Sequence, residues 1–253
     1  MKENINIPAH HRCIFVSGID TNIGKTYATA YLAKKYKEGG FSVITQKMVQ
    51  TGCEKYSEDI EMHRKLTGWG DLQEDKELLT APCVFTYPAS PHLAAKIDKR
   101  EIDLGTIKHA TDKLLSKYEI VLLEGAGGLM VPIKEDPTKP LGGYLTIDYI
   151  KENNYPVVLV TSGRLGSINH TLLSIDACMN RGIKIEGIVY NSYPHTDKII
   201  EEDTLQYLIS LGYPLLVMEE LAWTNIQNGM PANPVIPFLM KRIKNEYDYP
   251  TKW

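Results

Sequence analysis

Apolar residues along the chain fall into two alternating patterns. Short, nearly continuous runs come first: CIFVSG from Cys13, FSVITQK over residues 41–47, YEIVLLEG ending at Gly125, PVVLVTS, and IKIEGIVYN ending at Asn191. Runs of this length, rich in β-branched residues and bounded by turn residues, predict strands buried on both faces. Between them lie segments with apolar residues at helical spacing. The first is YATAYLAKKYK, closed by Gly39-Gly40, and the second is EDIEMHRKLTG, ending near Gly68. SPHLAAKI follows, with Ser90 as N-cap candidate and Pro91 at the first helical position. IDLGTIKHATDKLLSKY, from Ile102, places Ile107, Ala110, Leu114 and Leu115 on one face. Residues 145–151, INHTLLSIDACMNRG and DKIIEEDTLQYLISLG complete the series. Strands alternating with helices predict right-handed crossovers and a mostly parallel sheet covered on both faces, an α/β fold.

Two stretches resist this reading. Residues 69–91 are broken by Pro82, Pro88 and Pro91 and predict irregular structure. The tail from Trp223 onward is interrupted by Pro231, Pro234, Pro237 and Pro250, and only FLMKRIKNEY within it suggests a last short helix. With no long linker and no internal repeat, the 253 residues read as one domain, with 223–253 as its least legible part.

The first strand and helix enclose GIDTNIGKT, which ends in Gly24-Lys25-Thr26, the last three residues of a P-loop. The chemistry explains the residue types. Backbone N–H groups of a tight turn and a helix N-terminus converge on phosphate oxygens. Lys25 reaches the β/γ-phosphates and the Thr26 hydroxyl suits Mg²⁺. Five residues rather than four separate Gly18 from Gly24, and a GKT met by chance is the alternative. The flanking strand and helix are the context that favours the phosphate loop. The expected fold is therefore that of a P-loop NTPase.

In open α/β sheets, ligands bind at the carboxyl ends of the strands. Those ends carry Lys47 with Thr51-Gly52, Glu124 with Gly125-Ala126-Gly127-Gly128, Gly163-Arg164-Leu165-Gly166, and Asn191. Glu124 resembles a Walker-B carboxylate. Thr26, Glu124 and a further carboxylate would satisfy an oxygen-seeking Mg²⁺ that keeps several waters. Asp59 is the candidate for that carboxylate; a helix-start acid favoured by the macrodipole is the competing reading. Lys47 could equally be a solvated surface lysine, and His63, His92 and His170 read as packed helix residues. No His/Cys/Asp spacing suggests zinc.

Composition changes the picture little. Lys and Arg number 28 against 31 Asp and Glu, a net charge of −3 that gives no reason to expect a nucleic-acid partner. The first ten residues lack the apolar core of a signal peptide, and no apolar run reaches membrane-spanning length. Cys13, Cys53, Cys83 and Cys178 form no CxxC pair and read as reduced thiols of a cytoplasmic protein. Cys53 sits in a polar loop that could expose it, and a spectator thiol is the favoured reading.

Six segments together, GIDTNIGKT, QKMVQTG, SEDI, YPASPHLAA, VLLEGAGGLMVP and GRLGSINHTLLSI, resemble dethiobiotin synthetase in order and spacing. The likeness covers roughly residues 13–216 and includes the five-residue gap in the P-loop. It implies an enzyme that takes 7,8-diaminononanoate, CO₂ and ATP, with Mg²⁺, and closes a ureido ring through a carbamate and a carbamic-phosphoric anhydride. It implies that Asn22, Ile23, Gly24, Lys25, Thr26, Tyr27, Asp59, Glu124, Gly125, Ala126, Gly127 and Asn191 contact the nucleotide. Thr26, Asp59 and Glu124 would hold Mg²⁺; Lys25 and Lys47 would serve catalysis. Thr51, Gly128 and Asn169 would bind substrate, with Asn169 reaching in from the partner of a homodimer. Asn22 stands where many members carry an acid, Met48 replaces a proline, and YPLLVMEEL lacks the usual GxIP, leaving the choice between ATP and other nucleotides open. The competing classes are a cobyrinate-type amide synthase and a partition-type switch ATPase. The first needs a glutaminase domain for which this chain has no room after the ATPase core. The second carries a lysine where Asp20 stands.

Overall fold

The computed structural model describes residues 9–218. In chain order it forms β1 (Arg12–Gly18), α1 (Lys25–Glu38), β2 (Val43–Lys47), β3 (Gln50–Thr51), α2 (Glu58–Thr67), α3 (Gln73–Lys76), β4 (Val84–Phe85), α4 (Pro91–Ile97) and α5 (Leu104–Leu115). There follow β5 (Ile120–Gly128), β6 (Pro132–Glu135), β7 (Gly143–Leu145), α6 (Thr146–Glu152), β8 (Val157–Ser162), α7 (Ser167–Met179), β9 (Ile185–Asn191), α8 (Lys198–Ser210) and β10 (Leu215–Met218).

Six strands make one parallel sheet in the order β10-β9-β8-β1-β5-β2. The continuous apolar runs are explained by this placement, since β1 and β5 have neighbours on both edges and helices on both faces. Alternate residues part to opposite sides. Cys13, Phe15, Val121 and Leu123 join the core with Ile107 and Leu114 of α5, whereas Ile14, Val16 and Leu122 pack with Ala28, Tyr31 and Leu32 of α1. Each fully buried side chain of this size contributes roughly 1.5–3 kcal/mol relative to exposure, so the central strands anchor the domain.

Helix ends follow local chemistry. Ser57 caps α2 by accepting the Ile60 N–H at 3.1 Å, and Gly68, at φ 73°, closes the helix. Asp103 caps α5, and Asp197 caps α8. Ser90 occupies the N-cap of α4 with Pro91 behind it, as expected, although its side chain makes no capping bond.

The structure departs from the sequence pattern in several places. The glycine run after Glu124 is not a turn: β5 continues to Gly128, which pairs with Gly18 of β1. The register between them shifts, so that Val16 faces Glu124 and Gly18 faces Gly128. Four β5 residues thus span two of β1, a bulge that turns the strand end out of the ladder. Residues 69–91 hold α3 and β4, and β4 pairs with β3. An antiparallel pair, β6 and β7, and the sixth sheet strand, β10, were likewise not foreseen. Cys53 is buried, its N–H bonded to the Phe85 carbonyl at 3.1 Å. The proposed short helix in FLMKRIKNEY and the rest of the tail lie outside the described residues. Among the described residues, no helix is long and apolar enough to cross a membrane.

Candidate active site

The carboxyl ends of β1, β2 and β5, three adjacent strands, open on a cavity of about 440 Å³. Gly24 begins α1 at φ 93°, a left-handed conformation that favours glycine. A Cβ there would collide with the Asn191 amide, whose Nδ2 donates to the Ile23 carbonyl at 3.1 Å. Asn191 therefore braces the back of the P-loop from the end of β9. Lys25 lines the cavity and donates to the Asp20 carbonyl at 3.3 Å. Burial lowers its pKa, and the nearby Lys47 cation lowers it further.

Lys47 is only 5 % exposed, which removes the surface-lysine alternative. Its ammonium lies 2.7 Å from Glu124 Oε1, pairs with Asp59, and donates to the Gly125 carbonyl at 3.3 Å. Burial alone would lower the lysine pKa, but Glu124 and Asp59 outweigh it and raise it. The opposite holds for Glu124, which is 0 % exposed. Burial pushes its carboxyl up, and Lys47 and His63 hold it well below the carboxylate range. Thr26 Oγ1 donates to Asp59 Oδ1 at 2.8 Å and to Glu124 Oε1 at 3.2 Å. Asp59 is thus more than a helix-start acid. It faces the P-loop threonine because Ser57 fixes where α2 begins.

Thr26, Asp59 and Glu124 converge as three hard oxygen donors, a set that fits Mg²⁺. Among the described residues no three His, Cys, Asp or Glu side chains form a protein-only cation cage. A cation here would complete its shell with water and phosphate oxygens, as Mg²⁺ characteristically does.

Asn22, Gly24, Tyr27, Thr51, Ala126 and Gly127 also line the cavity. Ile23, Gly125, Gly128 and Asn191 are not among its lining residues, and Asn169 is exposed on α7. Asp20 pairs with Arg164, tying the P-loop to the loop that precedes α7. Met48, in place of a proline, is buried and donates its N–H to the Glu124 carbonyl at 2.9 Å, a bond that proline lacks. This bond offsets the looser loop that the substitution implies.

Thr21 and Val49 line the cavity without having been marked by the sequence, and two further residues enter the site. Gln50 lines the cavity and accepts from the Ser57 hydroxyl at 2.7 Å. His63 reaches Glu124 from beneath, with Nε2 2.8 Å from Oε2. The available signal was its position four residues after Asp59, on the same helix face.

Comparison with known proteins accords with this geometry. A family model described as an AAA domain matches residues 12–218. The chain is 54% identical over 189 residues to ATP-dependent dethiobiotin synthetase BioD 2 of Haemophilus influenzae, covering 75% of this chain and 95% of that one. It is 50% identical to ATP-dependent dethiobiotin synthetase BioD of Chlorobaculum tepidum, covering 76% of this chain and 78% of that one. Among solved structures, a plasmid partition protein of Borrelia burgdorferi bound to AMPPNP aligns with TM-score 0.51 at 11% identity, covering 92% of this chain and 96% of that one. At that identity the likeness shows the P-loop NTPase fold alone. Sequence identity of this extent over most of each relative places the chain in the ATP-dependent dethiobiotin synthetase family.

Proposed function

We propose that this protein closes the ureido ring of dethiobiotin from 7,8-diaminononanoate, CO₂ and ATP, within biotin biosynthesis in the cytoplasm. The observation that carries the reading is the meeting of two buried lysines, a P-loop threonine and two carboxylates around one cavity. An enzyme that combines a triphosphate with a carbamate must neutralise concentrated negative charge, mostly by positioning and electrostatics. One amine of the substrate bonds to CO₂ and loses a proton, giving a carbamate. A carbamate oxygen then bonds to the γ-phosphorus and the bond to ADP breaks. The second amine attacks the carbonyl carbon of the mixed anhydride and gives up one N–H proton, and inorganic phosphate leaves with the bonding pair of the broken C–O bond.

Lys25 binds the β/γ-phosphates and the P-loop N–H groups from Asn22 to Tyr27 cradle them. Lys47, deep in the cavity and held charged, stabilises the carbamate and the phosphoryl in transfer. Thr51 and the Gly127-Gly128 segment lie against the diamine, and Asn191 supports the nucleotide from behind the loop. Thr26, Asp59 and Glu124 would hold Mg²⁺, which would neutralise phosphate oxygens when bound. Asn169, exposed on α7, serves the site of a partner subunit in a homodimer.

The test is direct: purified protein with the diamine, bicarbonate, Mg²⁺ and ATP, analysed by mass spectrometry. Dethiobiotin should form, and excess EDTA should abolish it. Nucleotide hydrolysis without dethiobiotin, whichever nucleoside triphosphate is supplied, would overturn the assignment.

A further inference from the structure

His63 is fully buried on α2, and its ring is aimed at the cavity floor rather than at the apolar core. Its Nε2 lies 2.8 Å from Glu124 Oε2, while the other carboxylate oxygen, Oε1, receives Lys47 at 2.7 Å and Thr26 at 3.2 Å. The two oxygens thus have separate duties: one is anchored in the protein and the other faces the P-loop. An ionised carboxylate only accepts hydrogen bonds, so Nε2 is the nitrogen that carries the donated proton. Among the described residues, His63 Nδ1 is buried without a hydrogen-bond partner. A proton on it would be a buried donor left unmade, so the geometry selects the Nε2–H tautomer.

The helix supplies a second link. Asp59 and His63 are one turn apart and share a face. Asp59 meets Thr26 while His63 meets Glu124, so both carboxylates of the site are located by the docking of α2. The Thr67 hydroxyl donates to the His63 carbonyl at 2.7 Å and steadies that turn.

We infer that His63 is a positioning residue, which orients Glu124 through its Nε2–H so that Oε1 is presented, with Thr26 and Asp59, to the divalent cation that accompanies the nucleotide. His63 itself is not part of the cavity lining. This inference rests on the Mg²⁺ reading of Thr26, Asp59 and Glu124. Loss of a group that orients a metal ligand typically weakens metal binding by about 10–100-fold.

The experiment compares His63→Gln, His63→Asn and His63→Leu with the wild type. Glutamine places its amide nitrogen near the position of the histidine Nε2. Asparagine keeps an amide but falls short of Glu124, and leucine fills space with no donor. Affinity for Mn²⁺ is measured by electron paramagnetic resonance on the protein–ADP complex, with binding of metal-free ADP as the control. Circular dichroism confirms folding. The expected result is a metal Kd within about threefold of wild type for His63→Gln and about tenfold or more weaker for His63→Asn and His63→Leu, with metal-free ADP binding unchanged. Should the leucine variant fail to fold, the two amide variants carry the comparison. Wild-type Mn²⁺ affinity in His63→Asn, or equal damage in the Gln and Asn variants, overturns the positioning role while leaving the metal reading intact. Absence of Mn²⁺ binding by the wild-type complex overturns both.

Discussion

At the scale of single residues, Lys47 shows how position redefines a side chain. Lysine is usually solvated because its charge is costly to bury. Here two carboxylates and a carbonyl compensate, so the charge persists inside the cavity. Removing it should therefore affect chemistry more than nucleotide capture. Lys47→Ala is expected to lower kcat by about 100-fold or more. Its nucleotide Kd should change less than that of Lys25→Ala, as measured by nucleotide titration alongside single-turnover assays. Wild-type turnover in Lys47→Ala would remove it from the catalytic machinery. Asp59 makes the same point: its residue type fits any helix start, and only its 2.8 Å contact with Thr26 makes it a site residue.

At the scale of elements, α2 is held from two ends. Its carboxyl half is locked by Arg64, which donates through Nε to Asp75 at 2.8 Å, through Nη2 to Asp75 at 2.7 Å, and through Nη1 to Thr45 of β2 at 2.9 Å. Asp75 also accepts from Thr80 and from the Leu72 N–H, so one carboxylate joins α2, α3 and the approach to β4. Burial alone would raise the Asp75 carboxyl, but Arg64 and Thr80 outweigh it and hold it below the ordinary 3.8. A depressed carboxylate stabilises the fold fully above its unfolded pKa, and that stability is lost as pH falls through the folded one. Asp75→Asn should cost about 2 kcal/mol at neutral pH, because a buried guanidinium loses its charged partner. The gap from wild type should narrow below about pH 4, where the carboxylate of the unfolded chain begins to protonate while the folded one, with its lowered pKa, is still ionised. Urea denaturation at pH 7 and near pH 3 measures both gaps. A gap independent of pH would exclude the ion pair as its source.

At the scale of the whole molecule, Asn169 decides whether the site is complete within one chain. It lies exposed on α7, outside the lining of the cavity formed by its own subunit. If a partner's Asn169 completes each site, two inactive variants should complement. Mixed dimers of Lys25→Ala and Asn169→Ala have one doubly defective site and one intact site. With free subunit exchange half of the dimers are mixed, so activity should return to about a quarter of wild type. A mixture that stays inactive after exchange has been demonstrated would confine Asn169 to its own chain.

Much of this protein was legible without coordinates because the governing forces are local or periodic. Apolar runs identify strands buried on both faces, glycine marks helix ends, Ser90-Pro91 marks a helix start, and Gly24-Lys25-Thr26 between a strand and a helix announces phosphate chemistry. The short strands β3, β4, β6 and β7 were not legible, since two to four residues carry too little pattern to show a period. The bulged end of β5 was hidden as well, because a glycine run is compatible with either a turn or an extended strand. Only the tertiary structure could decide which nonlocal groups meet. Glu124 stands 77 residues from Lys47 and 61 from His63 in the chain. Their joint orientation comes from the pairing of β2 with β5 and the docking of α2 against them. Residue type set what each side chain was able to do; burial and neighbours decided which of those capacities each one uses.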